Sequence, residues 1–294
     1  MKAAQHANFV WSSALICVLA FASDSSISYA QKDKDKSTPP PLLTRVNLRH
    51  ENRRFAYGGT LTLVGAPSGS IQIYGWDRDE VDVSADIELH ATNEDDLTTL
   101  ARVNNFIIDE DTNHIRILTT GTHDRKLIRL LGRNLPKNLV AMPWKIDYRI
   151  RVPTSTDLEI SQGVGPIKLW GVEGAVHLNA VMSDAVVSLT GGDSSITLER
   201  GSIYFGVPTR GWHGLGADVK LASGNLIIEF PANFSADINA SVLRQGRVEV
   251  AYPNLEPRER NSITPQSVRV RAGNGGATLS FMVGDGTIII GRLK

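Results

Sequence analysis

From residue 45 onward, apolar and polar residues alternate in short runs and not at helical intervals. Leu61 and Leu63, Ile71 and Ile73, Val81 and Val83, and Ile115 and Ile117 each enclose one polar residue. That period of two belongs to strands with one buried face. Gly58-Gly59 and Pro67-Ser68-Gly69 separate the runs as turns. One segment departs from the pattern. Thr92 to Asn104 opens with Thr92 three residues before Asp95, and acids fill its first turn. Leu97, Leu100 and Ala101 share one face there, which predicts a single helix packed across a sheet.

In the second half, apolar pairs at i and i+2 recur. They are Ile167/Leu169, Val176/Leu178, Val187/Leu189, Ile196/Leu198, Ile203/Phe205, Val219/Leu221 and Leu226/Ile228. Gly, Asp or Asn precedes most of them, and alternate pairs return about every 20 residues. This recurrence predicts a β-solenoid, in which each strand stacks on the one from the previous turn. An antiparallel β-sandwich with hairpin spacing fits the short distances almost as well. The expected class is all-β. A strand-rich cap region with one short helix (45–150) leads into a β-solenoid region (151–294), and Thr287–Ile290 completes the far end.

Residues 1–44 read differently. Lys2 followed by the apolar run Trp11 to Ala22 has the form of a secretory signal peptide over 1–30. Ser28 and Ala30 are small, so cleavage is expected between Ala30 and Gln31. The run is shorter than the roughly 20 residues a membrane-spanning helix needs. Ile16 stands before Cys17 where a lipidation signal carries a small residue, so lipidation is not expected. Residues 31–44 (QKDKDKSTPPPLLT) form a charged, proline-rich linker. The mature chain is expected to be exported: periplasmic, on the outer envelope or secreted, with no transmembrane span.

Composition narrows the chemistry. The 294 residues hold 31 basic and 31 acidic side chains, so the basic footprint of a nucleic-acid binder is missing. Cys17 is the one cysteine, which excludes a disulfide framework and a multi-cysteine metal site.

Three stretches resemble a known family. Ile71–Ala85 (IQIYGWDRDEVDVSA), Trp144–Leu158 (WKIDYRIRVPTSTDL) and Arg271–Gly291 (RAGNGGATLSFMVGDGTIIIG) are similar to bacterial envelope proteins called putative adhesins. The shared features are the Gly75-Trp76-Asp77-Arg78-Asp79 turn between strands, Val152-Pro153 before the repeats, and a closing Gly-rich turn with a last strand. The resemblance runs from about residue 57 to the end. It implies a β-helix-like, secreted or envelope-associated domain, and nothing about its biochemistry.

No motif identifies a catalytic residue, a cofactor site or a resident metal. Gly65-Ala66-Pro67-Ser68-Gly69 has the wrong spacing for a nucleophile elbow, and the Gly-x-Gly pairs lack a third glycine or a P-loop lysine. The seven histidines are scattered, and His177 between Val176 and Leu178 points to solvent. Asp77, Asp79, Glu80 and Asp82 beside Trp76 form either a solvated acidic turn or a weak calcium site. Glu173, Asp184 and Asp193 precede strands, where carboxylates bond to local backbone. Converging from adjacent turns, they would instead serve a carbohydrate-active enzyme, a polysaccharide hydrolase or lyase, with Trp170 or Trp212 to stack a sugar.

The remaining anomaly is Gly121–Pro143, too long for a hairpin turn. It carries Arg125, Lys126, Arg129, Arg133 and Lys137 against one acid, Asp124. Leu127, Ile128, Leu130 and Leu131 are interleaved, so Lys126–Leu131 is expected to form a short amphipathic turn. Basic and apolar faces together fit an anionic surface, either lipid headgroups or a cell-wall polymer. The expected function is a non-enzymatic, adhesin-like envelope protein that presents its strands to a partner.

Overall fold

The alternation is realised as sixteen strands in one mixed sheet, with three helices, among the described residues. The computed structural model describes residues 41–132, 135–259 and 262–293, so the expected cleavage residues Ala30 and Gln31 lie outside it. The chain begins with β1 (Leu43–Arg54), β2 (Thr60–Ser68), β3 (Ile71–Trp76), β4 (Glu80–Ala91) and α1 (Glu94–Val103). It continues through β5 (Asn105–Asp111), β6 (His114–Thr120), α2 (Arg125–Leu131), α3 (Lys137–Val140) and β7 (Trp144–Pro153). Next come β8 (Asp157–Val164), β9 (Ile167–Val172), β10 (Val176–Leu189), β11 (Gly191–Gly206) and β12 (His213–Phe230). Last are β13 (Ala236–Val250), β14 (Leu255–Pro257), β15 (Ser267–Ala272) and β16 (Thr278–Arg292).

Two ladders run through the sheet. The first joins β5, β6, β2 and β8 to the leading halves of β10, β11, β12, β16 and β13, then to β15 and β14. The second joins β1, β4, β7, β3 and β9 to the trailing halves of the same long strands. Each long strand therefore belongs to both ladders and turns a corner midway. In β10 the inward residues are Val176, Leu178 and Ala180, then Ala185, Val187 and Leu189, with the phase shifting at exposed Val181 and Met182. Stacking is parallel, and Ser202 lies over Asp184 18 residues earlier, as a coiled chain requires. An antiparallel sandwich would share only the two-layered section.

The two ladders face each other across one apolar core. Phe205 of the second packs edge-on to Phe281 of the first at 5.6 Å. Toward the other end, Tyr148 and Thr119 share a hydroxyl hydrogen bond of 2.8 Å across the layers. Burial there pushes the Tyr148 phenol far above its ordinary range.

The corner itself dictates residue type. Gly165, Ser183, Gly201, Gly224, Gly286 and Gly246 stack there in consecutive strands. A Cβ on Gly224 would lie 1.7 Å from the Gly201 carbonyl oxygen, and its φ of +139° is open essentially to glycine alone. The glycines read from the sequence as turn markers are thus close-approach positions between stacked backbones.

Three expectations need correction. The cap of α1 is Asn93, whose side-chain oxygen accepts from the Asp96 amide at 2.8 Å, and not Thr92. Helix α1 is joined by α2 and α3, two short helices inside the long 121–143 excursion. And Thr287–Ile290 does not complete an end. Strand β16 slots between β12 and β13, while β13, β15 and β14 close that end. Alternation fixes which side chains face inward but leaves the neighbouring strand undetermined. Replacing Gly224 with Ala is expected to cost at least about 3 kcal/mol. Gly211→Ala, at an ordinary φ and with 3.9 Å between the added Cβ and its nearest neighbour, should cost about 1 kcal/mol or less. Urea denaturation of both variants checks the difference, and equal losses would refute the close-approach role.

Candidate functional site

The three acids do not share one place. Glu173 and Asp193 lie where the chain passes from the second ladder to the first, and Asp184 lies at the opposite corner. Val176–Ala180 separates Asp184 from the other two, about 16 Å of strand at 3.3 Å per residue, beyond the 5–10 Å of a glycosidase pair. Asp184 has a structural occupation instead, accepting from the Ser202 hydroxyl at 2.6 Å and its amide at 3.2 Å. Asp147 grips Ser70 in the same way, through hydroxyl and amide at 2.7 Å each. Asn225 accepts from the Thr287 amide at 3.2 Å. Each clamp sits one residue beyond the corner and ties one turn of the coil to the next. Trp212 is buried against Phe205 and donates to the Gly192 carbonyl at 3.0 Å, so it has no free face for a sugar.

The acidic turn at Asp77–Asp82 is held by cations. Asp82 pairs with His50 and, at 4.0 Å, with Arg151; Glu80 pairs with Arg78 at 3.3 Å. Arg78 and Arg151 also lie over the Trp76 ring, at 4.9 and 5.5 Å. Among the described residues, no three His, Cys, Asp or Glu side chains are grouped to hold a metal ion.

The basic excursion builds a more promising surface. Asp124 caps α2 by accepting from the Lys126 amide at 2.7 Å, and Gly132 ends the helix. Ile128 and Leu131 fold against the core, which turns Arg125, Lys126, Arg129 and Leu130 outward. Leu130 is 83% exposed. Lys137 is exposed on α3 while Leu139 beside it is buried. Arg133 lies outside the described residues. Beside α2 runs a groove of about 450 Å³, with Arg49, Arg53 and Arg102 on one side and Ile107, Leu127 and Leu131 among its apolar lining.

Arg49 and Arg53 come from β1, where the sequence reading found no site. The Arg49 guanidinium and then Arg53 outweigh burial and hold Glu51 below the usual carboxylate range; Arg53 also reaches Glu110 at 3.3 Å. Arg49 further donates to Asn105 at 2.9 Å and lies 4.1 Å over the Phe106 ring. Among the described residues, Arg102, Arg125, Lys126, Arg129 and Lys137 make no ion pair. The site therefore adds unpaired positive charge to exposed apolar surface.

A larger groove of about 650 Å³ lies at the other end, where β14 and β15 overhang the first ladder. Asn239, Ser241, Glu256 and Arg269 line it, and Arg258 and Arg271 turn back onto the nearly buried Asp237.

No protein-family model and no curated protein matches the chain. Solved structures similar to it include a putative cell adhesion protein from Clostridium sporogenes, at 10% identity and a TM-score of 0.39, covering 84% of this chain and 100% of that one. A putative adhesin from Bacteroides fragilis is 9% identical, with a TM-score of 0.23 over 84% and 97% of the two chains. A putative lipid binding protein from Parabacteroides distasonis is 12% identical, with a TM-score of 0.22 over 84% and 97%.

The Asp147 clamp carries a pH signature. Burial opposes ionisation of Asp147, yet the Ser70 hydrogen bonds and Lys145 hold its carboxyl below the ordinary value. A lowered folded-state value stabilises the fold above the unfolded value of about 4 and is lost as pH falls through the folded one. Asp147→Ala should therefore cost about 1 kcal/mol at pH 7, allowing for solvent screening, with the gap closing in more acidic solution. Urea melts of both proteins at pH 7, 4 and 2.5 measure it, and a gap independent of pH would contradict the clamp.

Proposed function

We propose that this chain is a non-enzymatic, exported, adhesin-like protein that holds an anionic component of the cell envelope against the α2 surface. The observation carrying this reading is that α2 exposes the unpaired cations Arg125, Lys126 and Arg129 while its Leu127 and Leu131 line a groove that unpaired Arg102 also lines. Cations that only keep a surface soluble do not need apolar neighbours, whereas a phosphate-bearing partner with an apolar portion uses both. The remoteness of Asp184 and the burial of Trp212 support a binding role over carbohydrate cleavage. No helix among the described residues is long and apolar enough to cross a membrane.

Arg125, Lys126 and Arg129 point outward and take no part in the core, so serine replacements test charge without disturbing packing. At about 1 kcal/mol per basic residue near headgroups, the triple variant should bind phosphatidylglycerol vesicles at least tenfold more weakly. The loss should be largest at low salt, because the Debye length is about 30 Å at 0.01 M and about 8 Å at 0.15 M. Vesicle cosedimentation measures this, with phosphatidylcholine vesicles and soluble polyphosphate as arms separating a lipid surface from a free anionic polymer. Undiminished binding of the variant at low ionic strength would overturn the reading.

A further inference from the structure

The outer face of the second ladder carries a second surface, unrelated to α2. Register places Arg151, Tyr74, Trp170, Ser188, Gly206 and Glu229 in one row across six strands. Arg149, Gln72, Lys168, Val186 and Tyr204 form the row beside it. Tyr74 and Trp170 stack at 5.2 Å between ring centres with planes 17° apart, so one face of the indole is taken. Lys168 Nζ lies over the same ring at 5.9 Å from its centre, and the next residues of the row, Ser188 and Gly206, are small. The ring of Tyr204 comes within 3.2 Å of where a Gly206 Cβ would stand, and its hydroxyl donates to Glu229 at 2.7 Å. Burial, then Glu229, raises the Tyr204 phenol to about 12, so it stays a donor. The result is a ledge with Trp170 as wall, Ser188 and the Tyr204 ring as floor, and Glu229 beyond. Strands β9 and β11 are about 9.6 Å apart, two strand spacings, which is enough to seat one sugar ring on its side.

Charge picks out the kind of sugar. Lys168 makes no ion pair among the described residues, and its Nζ lies 5.9 Å from the Trp170 ring. Arg149 and Arg151 follow on the same side, held by Asp86 at 3.3 Å and Asp82 at 4.0 Å. We propose that this ledge binds a polysaccharide of uronic acids. The apolar C–H face of the pyranose stacks on Trp170, hydroxyls meet Ser188, Gln72 and Glu229, and the carboxylate pairs with Lys168. Aromatic rings with one wet edge and a few placed polar groups are the usual recipe for such a site, and an unpaired cation supplies the charge complementarity.

Polygalacturonate and alginate are the probes, titrated against the full chain by calorimetry at low and moderate salt. Trp170→Ala should weaken binding about tenfold, since a stacking contact at a binding centre is typically a hot spot. Lys168→Glu keeps the aromatic wall and should weaken binding at least as much, most at low salt. The α2 triple-serine variant should bind these polymers like the parent, which separates this surface from the one proposed above. Failure of both polymers to bind, equal binding of neutral dextran, or full affinity in Lys168→Glu would each overturn the proposal. Thermal unfolding of the variants controls for folding, and Lys168→Glu decides the matter if Trp170→Ala is unstable.

Discussion

Everything in this molecule depends on the close approach of stacked backbones at the corner between its ladders. A chain that coils with parallel neighbours must bring each corner against the same corner of the next turn, at the strand spacing of about 4.8 Å. With Gly201, Gly224 and Gly286 in column, carbonyl oxygens occupy the volume a Cβ would need. The corner therefore fixes register absolutely. A one-residue slip would drive a side chain into a carbonyl and also send Ile203, Phe205, Leu226 and Ile228 to the wrong face. Hydrogen-bond clamps from Asp147, Asp184 and Asn225 sit one residue past the same corner, so steric and polar constraints agree.

Fixed register has a consequence outside the core. Because inward residues are locked in phase, outward residues are locked too, and they form straight rows over many strands. Tyr74 and Trp170 are 96 residues apart in the chain yet meet ring to ring because their strands pair in register. A chemically useful row on this fold needs no loop to assemble it. It needs only suitable residues at equivalent outward positions, which the core leaves free to vary.

This explains what could and could not be read in the sequence. Period-two alternation, the helix at 94–103 and the recurrence of apolar pairs are local signals, and each has its counterpart in the structure. The amphipathic turn in the basic excursion was equally local, since Asp124, the leucines and Gly132 all lie within one short segment. Neighbour relations were not legible. Nothing in Thr287–Ile290 says that it inserts between Leu226–Ile228 and Val248–Val250. Arg49 and Arg53 looked like ordinary polar positions of a strand, and only the packing of β1 against Phe106 and Glu110 makes them one side of a groove. Trp170 was suspect from its residue type alone, and pairing with Tyr74 could not be inferred without register.

The β1 end of the coil meets its exposed edge with charge. An unpaired strand edge invites further strands, and charge on the edge is the common defence. At the β1 end, an arginine recurs at every fourth residue: Arg45 pairs with Glu94 of α1, Arg49 holds the Phe106 backbone, and Arg53 reaches Glu110. These guanidiniums cover one face of the strand, while Val46 and Leu48 stand exposed on the other. They also leave the adjoining surface rich in positive charge, and α2, whose Leu127 and Leu131 line the same groove, exposes further unpaired cations. The basic character of this region therefore follows from how an open sheet is capped. An anionic partner at this end would meet cations that the fold already requires, so affinity there comes at little cost to the core.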